Sequence, residues 1–250
     1  MAAELAEEVC GRFVVAGAAS DLVALFDVDI AAEKLPSPSW NVAPTDRVAI
    51  VLDSIPKADP QVQPLRRLES ARWGLVPVWA KDATIGVTAI NARIESLQEK
   101  ALFTTAVKKR RALIPATGYY EWQTVDGVKT PYFIHLPEGE LTVFAGLYEW
   151  WRNPTEAGDS PDKWLLSTTI ITRAATGELG GLHDRMPVFL SPELIDEWLD
   201  PHADEPSDVL DAASGGAVEI AARMQWHPVD RAVGNVRNNS PELIEPLDSE

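Results

Sequence analysis

Cys10 is the single cysteine in 250 residues, and it stands near the start of the chain in Cys10-Gly11-Arg12-Phe13. A lone thiol closes no internal disulfide and builds no zinc site from cysteines. Its place near the N-terminus points to a different chemistry. As the first residue of a mature chain, Cys10 would carry an α-amine and a thiol on adjacent carbons. Such a 1,2-aminothiol traps an aldehyde as a thiazolidine ring. The preceding residue is Val9. A GTG codon is read as valine inside a gene and as methionine at a start. Two routes therefore lead to a terminal Cys10: translation from Val9 with loss of the initiator, or removal of residues 1–9 as a pro-segment. The plainer reading is an isolated cysteine with no role.

Four further segments are too polar, aromatic and glycine-punctuated for ordinary core. Arg72-Trp73-Gly74-Leu75-Val76-Pro77-Val78-Trp79-Ala80 sets two tryptophans around Gly and Pro. Asn91-Ala92-Arg93-Ile94-Glu95 spaces an amide and a guanidinium two residues apart, on one side of the chain if the backbone is extended. Gly118-Tyr119-Tyr120-Glu121-Trp122 places one carboxylate among aromatics, and Leu182-His183-Asp184-Arg185-Met186-Pro187 gathers three polar groups before a proline. Glu121 and His183 are the acid–base candidates. Trp73 and Trp79 also fit a plain core role, and His135, His202 and His227 read as structural.

The elements that must position these groups are short. Ser20–Phe26 reads as a capped helix and the Pro-rich segment 34–46 as a loop. Strand character follows at Arg47–Leu52 and Leu65–Trp73. Leu97, Ala101, Leu102 and Val107 predict an amphipathic helix over 96–111, ending in the basic run Lys108-Lys109-Arg110-Arg111. Strands are expected at Ala112–Pro115, Tyr119–Gln123, Tyr132–Leu136, Leu141–Trp150, Leu165–Thr172 and Gln225–Val229, with Asp126-Gly127 as a hairpin turn. Segment 152–163 reads as a surface loop. A helix is predicted from the Ser191 cap to Leu199, and a second short one after Ser207. Strands outnumber helices without alternating with them and no linker divides the chain, which predicts one α+β domain of mainly antiparallel, barrel-like sheet with flanking short helices.

The composition, 46% hydrophobic, supports a sizeable core. No apolar run approaches the roughly 20 residues that span a bilayer. The first residues carry Glu4, Glu7 and Glu8 and no basic residue, unlike a secretory or transit peptide, so the cytoplasm is the expected compartment. The formal net charge of −16 argues against nucleic acid at face value. Net charge is a global quantity, however, and a cleft is local. Acids concentrate at 4–8, 156–162, 193–208 and 242–250, while arginines fall in the motif-like segments, which predicts an acidic back and a basic cleft. No glycine-rich phosphate loop or clustered metal ligands appear, so no cofactor and no metal are expected.

Taken together and in order, these segments resemble the SOS response-associated peptidase (SRAP) family, proteins that crosslink to abasic sites in single-stranded DNA. The resemblance runs through Cys10-Gly11-Arg12-Phe13, Asn41-Val42-Ala43-Pro44-Thr45, Trp73-Gly74-Leu75-Val76-Pro77 and Asn91-Ala92-Arg93. It continues through Ile114-Pro115, Gly118-Tyr119-Tyr120-Glu121-Trp122, Phe144-Ala145-Gly146-Leu147 and His183-Asp184-Arg185-Met186-Pro187, with 10–250 as the family domain. It implies that a mature N-terminal Cys10 is the nucleophile, its amine forming a Schiff base with the ring-opened deoxyribose and its thiol closing the thiazolidine. Glu121 would shuttle protons, His183 would assist sugar-ring opening, and Asn91 would position the amine or the sugar. Arg12 and Arg93 would bind flanking phosphates and Trp73 would stack on a base, with Asn41 and Pro44 also assigned to the DNA-binding surface. The family name implies that Cys10 itself cleaves the Val9–Cys10 bond. The implied partner is single-stranded DNA carrying abasic sites near replication, with nucleoid association when bound and a monomeric protein. Two other functions compete on the residues alone: a cysteine peptidase acting on other proteins, and a non-catalytic binder of single-stranded or modified DNA.

Overall fold

The computed structural model describes residues 10–56, 62–158, 160–203 and 205–247. The segment 1–9, read above as pro-segment or mis-assigned start, lies outside them. The strands are β1 Phe13–Val15, β2 Ile30–Ala31, β3 Ser39–Val42, β4 Arg47–Ser54, β5 Leu65–Trp73, β6 Asn91–Arg93, β7 Arg111–Ala116, β8 Gly118–Val125, β9 Val128–His135, β10 Thr142–Arg152, β11 Trp164–Ala174, β12 Arg185–Pro187 and β13 Gln225–Pro228. The helices are α1 Asp21–Leu25, α2 Thr104–Lys109, α3 Ile195–Leu199 and α4 Ser207–Ala221.

Two sheets carry the architecture. Strands β5, β4, β7, β10 and β11 pair in that order, and a parallel pairing of β11 with β5 (Ser167 opposite Arg72, Thr168 opposite Trp73) closes them into a five-stranded barrel. Closure leaves these five strands no bare edge to one another. The second sheet is antiparallel, in the order β13-β9-β8-β1-β3. The expected α+β fold, mainly antiparallel and barrel-like with short helices, is the fold observed.

Alternation along β8 joins the two sheets. Tyr119 faces the main core, where it meets Phe144 and Phe189, whereas Tyr120 turns to a smaller cluster with Phe133 and Trp122. Glu121, two residues beyond Tyr119, therefore shares the inward side. Asp126-Gly127 forms the expected hairpin turn with positive φ at both residues (51° and 76°), the geometry of a type I′ turn that matches strand twist.

Three expectations are corrected. The Pro-rich loop contains β3, which pairs with β1 at Phe13–Val42. The helix over 96–111 is broken into a 3₁₀ turn at Ile94–Ser96 and the six-residue α2, because Arg111 belongs to β7. The Arg111 guanidinium is buried and donates to the carbonyls of Trp198, Val107, Lys108 and Asp200, so it ties strand, helix and α3 together rather than ending a solvated helix. The helix after Ser207 is not short: α4 runs 15 residues, burying Ala213, Ala217 and Ala221 along one face.

Candidate functional site

The β1–β8 register brings Cys10 to Glu121. Phe13 lies opposite Tyr119 and Val14 opposite Gly118, and the Tyr120 N–H donates to the Arg12 carbonyl. Continuing that antiparallel register puts Gly11 opposite Glu121, with Cys10 one step beyond. The Cys10 backbone N–H donates to Glu121 Oε1 at 2.7 Å. The nitrogen that would become the α-amine of a mature chain thus already rests on the one carboxylate in the aromatic motif. Cys10 also has φ 51°, a left-handed conformation that costs a non-glycine residue roughly 1–2 kcal/mol.

The site is dry. Cys10, Tyr119 and Glu121 are all buried. Burial pushes the Glu121 carboxyl up to about 8, against the opposing hydrogen bond from Cys10, and the negative charge of Asp184 adds to the rise. Burial likewise raises the Cys10 thiol well above its ordinary value, with the Glu121 charge in the same sense. A carboxyl near 8 is protonated at neutral pH yet close to releasing its proton, which suits acid–base work.

His183 follows the turn Gly177–Gly181, and the charge of its neighbour Asp184 acts on Glu121. Gln123, two residues past Glu121, anchors that turn by donating Nε2–H to the Gly181 carbonyl at 2.7 Å. His183 Nδ1 lies 3.1 Å from the Arg185 N–H and 2.8 Å from Asp184 Oδ1. Burial of the ring is the larger influence and lowers its pKa. The lowered pKa favours the neutral ring, and Nδ1 is shared between the Arg185 N–H and the Asp184 carboxylate. Arg185 forks onto Glu95 (2.8 and 3.0 Å) and donates to the Thr172 carbonyl, so it ties the His183 turn to β11 and to the segment after β6.

Asn91 and Arg93 occupy β6, which runs parallel to β11, and the extended backbone puts both on the same side as expected. Asn91 is half-buried and Arg93 exposed, its guanidinium unpaired among the described residues. Trp73 connects this strand to Cys10's strand: its Nε1–H donates to the Ile90 carbonyl at 2.9 Å, and its ring meets Phe13 edge-on at 4.9 Å.

Trp73 as a base-stacking platform is corrected by this placement. Its side chain is 0% exposed, so no base can lie on it; it is the core post that fixes β1 and β6. Trp73→Ala is expected to cost about 3–5 kcal/mol of folding stability, measured by denaturant unfolding. Trp79 of the same motif is 58% exposed and is the indole that sequence reasoning left among the core candidates. The turn that separates them needs Gly74, where φ is 124° and an added Cβ would sit 2.4 Å from the Gly86 carbonyl oxygen.

Asn41 is corrected too. It is buried, accepts from Arg12 Nη1 at 2.8 Å and donates to the carbonyls of Val233, Asn235 and Asn238, so its work is to hold Arg12 and the C-terminal segment. Arg12 itself commits Nη1 to Asn41 and to the Val233 carbonyl, and its exposed Nη2 donates at 3.5 Å to the Gly234 carbonyl. Pro44 is half-buried in a loop pinned to Trp73, where the Thr45 N–H donates to the Trp73 carbonyl and the Trp73 N–H to that of Asp46. Among the described residues no helix is long and apolar enough to cross a membrane.

Comparison with known proteins places this geometry. The family model described as SOS response associated peptidase (SRAP) matches residues 9–236. The chain belongs to this family. It is 38% identical over 242 residues to Abasic site processing protein YoqW of Bacillus subtilis (strain 168), covering 95% of this chain and 99% of that one. It is 33% identical over 243 residues to Abasic site processing protein YedK of Escherichia coli (strain K12), covering 96% and 100%. A solved structure of a protein from Bacteroides thetaiotaomicron superposes with a TM-score of 0.76 at 19% identity, covering 95% of this chain and all of that one, which shows the shared SRAP fold.

Proposed function

We propose that this SRAP protein processes abasic sites in DNA, and that it does so by covalent capture in single-stranded DNA. The carrying observation is the 2.7 Å bond from the Cys10 nitrogen to a buried Glu121. Once Cys10 is the terminus, its α-amine has an ordinary pKa near ~7.7–8.0 and is substantially neutral at cellular pH, unlike a lysine at ~10.4. The amine adds to the C1′ aldehyde of the ring-opened sugar. Glu121 protonates the departing hydroxyl, releasing water and leaving a Schiff base. The thiol then adds across the C=N bond, its sulfur joining carbon and its proton passing to nitrogen, to close the thiazolidine. His183 assists the opening of the sugar ring, and Asn91 orients the sugar. Arg93 and the exposed edge of Arg12 take the flanking phosphates. Trp79 takes over the stacking role for which Trp73 is too deep. The resulting bond shields the lesion from strand breakage.

The same contact supports self-cleavage at Val9–Cys10. The Cys10 thiol attacks the Val9 carbonyl, Glu121 gives its proton to the leaving Cys10 nitrogen, and water hydrolyses the resulting thioester to a Val9 carboxylate and a free thiol. The left-handed Cys10 backbone favours a reaction that releases it. Mass spectrometry of protein made from its natural gene tests the processing: a chain beginning at Cys10 is expected, and crosslink-competent protein retaining Met1 or Ala2 would contradict it. For capture itself, an abasic oligonucleotide is expected to give a band that survives a denaturing gel. The tetrahydrofuran analogue, which has no aldehyde, gives none.

A further inference from the structure

A second feature belongs to none of this chemistry. A cleft of about 710 Å³ opens on the barrel wall at the end of α2, lined by Thr104, Lys108, Arg110, Tyr148, Trp150 and His202 among others. That volume suits a ligand of nucleotide size. The carboxylates nearest it are paired, although Asp53 shares the Arg66 guanidinium with Asp196. Asp53 is held by the Arg66 fork at 2.9 and 3.1 Å, and Glu149 by Arg110 at 2.9 Å. Lys108 is exposed, and no carboxylate pairs with it among the described residues. In a chain of net charge −16, Lys108 thus stands at this cleft without a carboxylate partner among the described residues.

The strands extend it. Trp150 lies opposite Leu166 and Arg152 opposite Trp164 across the β10–β11 pair. Trp150, Arg152 and Trp164 therefore share one face, with a cation between two indoles. Both indoles are open to solvent, Trp150 at 41% and Trp164 at 50%. Buried area does not explain them. Exposed aromatics beside a cation, leading into a cleft lined with hydroxyls and with Lys108, are the pattern that stacks bases and tracks a phosphate backbone. An acidic peptide would use the cations and leave both indoles idle.

We propose that this strip, from the Lys108–His202 cleft along Trp150, Arg152 and Trp164, is a second binding track for nucleotide units of single-stranded nucleic acid. It goes beyond the crosslinking reading, because the track shares no residue with the Cys10 site. Bases stack on Trp150 and Trp164, and Lys108, Arg152 and His202 face the phosphates.

The test is fluorescence anisotropy of a labelled, undamaged oligothymidylate of about 20 nucleotides, with the full chain and the variants W150A, W164A and K108A. Both tryptophans are exposed, so the fold is retained, and melting curves verify it. Each tryptophan variant is expected to bind about tenfold more weakly, within the range for losing one base–aromatic stack. K108A should lower the slope of log affinity against log salt by about 0.7, one single-strand phosphate contact. Titration of dTMP separates the source: saturation of the wild-type cleft by dTMP, lost in W150A, assigns it to free nucleotides, and binding by the oligomer alone assigns it to a strand. Unchanged oligomer affinity and salt slope in all three variants would overturn the proposal. Crosslinking to a short abasic oligomer reads the other site independently. Its absence in wild type would sink the Cys10 reading and leave the track standing.

Discussion

In protein produced with Cys10 already as its first residue, glutamine in place of Glu121 is expected to slow capture of an abasic-site aldehyde by about 10²- to 10⁴-fold, the span over which a positioned acid–base group acts. The Cys10 nitrogen keeps its acceptor, since an amide oxygen stands where Oε1 stood, so amine placement survives and proton transfer does not. The pH profile carries the sharper signature. In the native protein the rate rises as the α-amine loses its proton and falls as Glu121 loses its own near pH 8, the two groups titrating as a pair. The variant keeps the rising limb and lacks the falling one. Stability responds as well. The folded pKa of Glu121 is raised, so the stability linked to it is intact below the ordinary carboxylate range and is lost as pH climbs through about 8. Unfolding of Glu121→Gln followed across that window should show this loss abolished. An unchanged single-turnover rate profile would remove Glu121 from the mechanism.

Alanine in place of Cys10 is expected to eliminate the stable adduct altogether. A mature terminus that begins with the substituted alanine retains an amine against Glu121, so a Schiff base still forms, and borohydride reduction traps it. Without sulfur no ring closes, and the unreduced adduct returns to aldehyde and amine in the denaturing gel. Cys10→Ser should behave in the same way. If processing is autocatalytic, both variants also keep residues 1–9, and a version expressed with a removable tag directly before residue 10 separates the two effects. A heat-stable adduct from Cys10→Ala would show that the thiol takes no part.

The sequence made the participants of this site legible more readily than their arrangement. Cys10 and Glu121 stand out by residue type, yet their contact depends on β1, a strand of three residues that no periodicity reveals. Trp73 and Trp79 were indistinguishable in sequence because both flank the same Gly and Pro. Which one is buried is decided by the turn at Gly74 and the closure of β5 on β11. Asn41 read as a DNA contact from its motif, but its amide is consumed by carbonyls nearly 200 residues away in sequence, a long-range bond no local pattern encodes. The basic run at 108–111 read as the end of one amphipathic helix. The structure divides it between a buried strut, Arg111, and a cleft wall, Lys108 and Arg110. Where the sequence reading succeeded, in the longer strands, the Asp126-Gly127 turn and the α+β class, the signal was local; the short strands β1, β2, β3, β6 and β12 carry no such signal.

The most direct test of covalent capture is the intact mass of the protein, made from its natural gene, after mixing with a short single-stranded oligonucleotide that carries one abasic site. The predicted species is the chain beginning at Cys10 plus the oligonucleotide minus one water, the balance of a thiazolidine formed from an aldehyde and an aminothiol. Protein that begins at Cys10 and remains at its free mass in the presence of excess abasic DNA would contradict it.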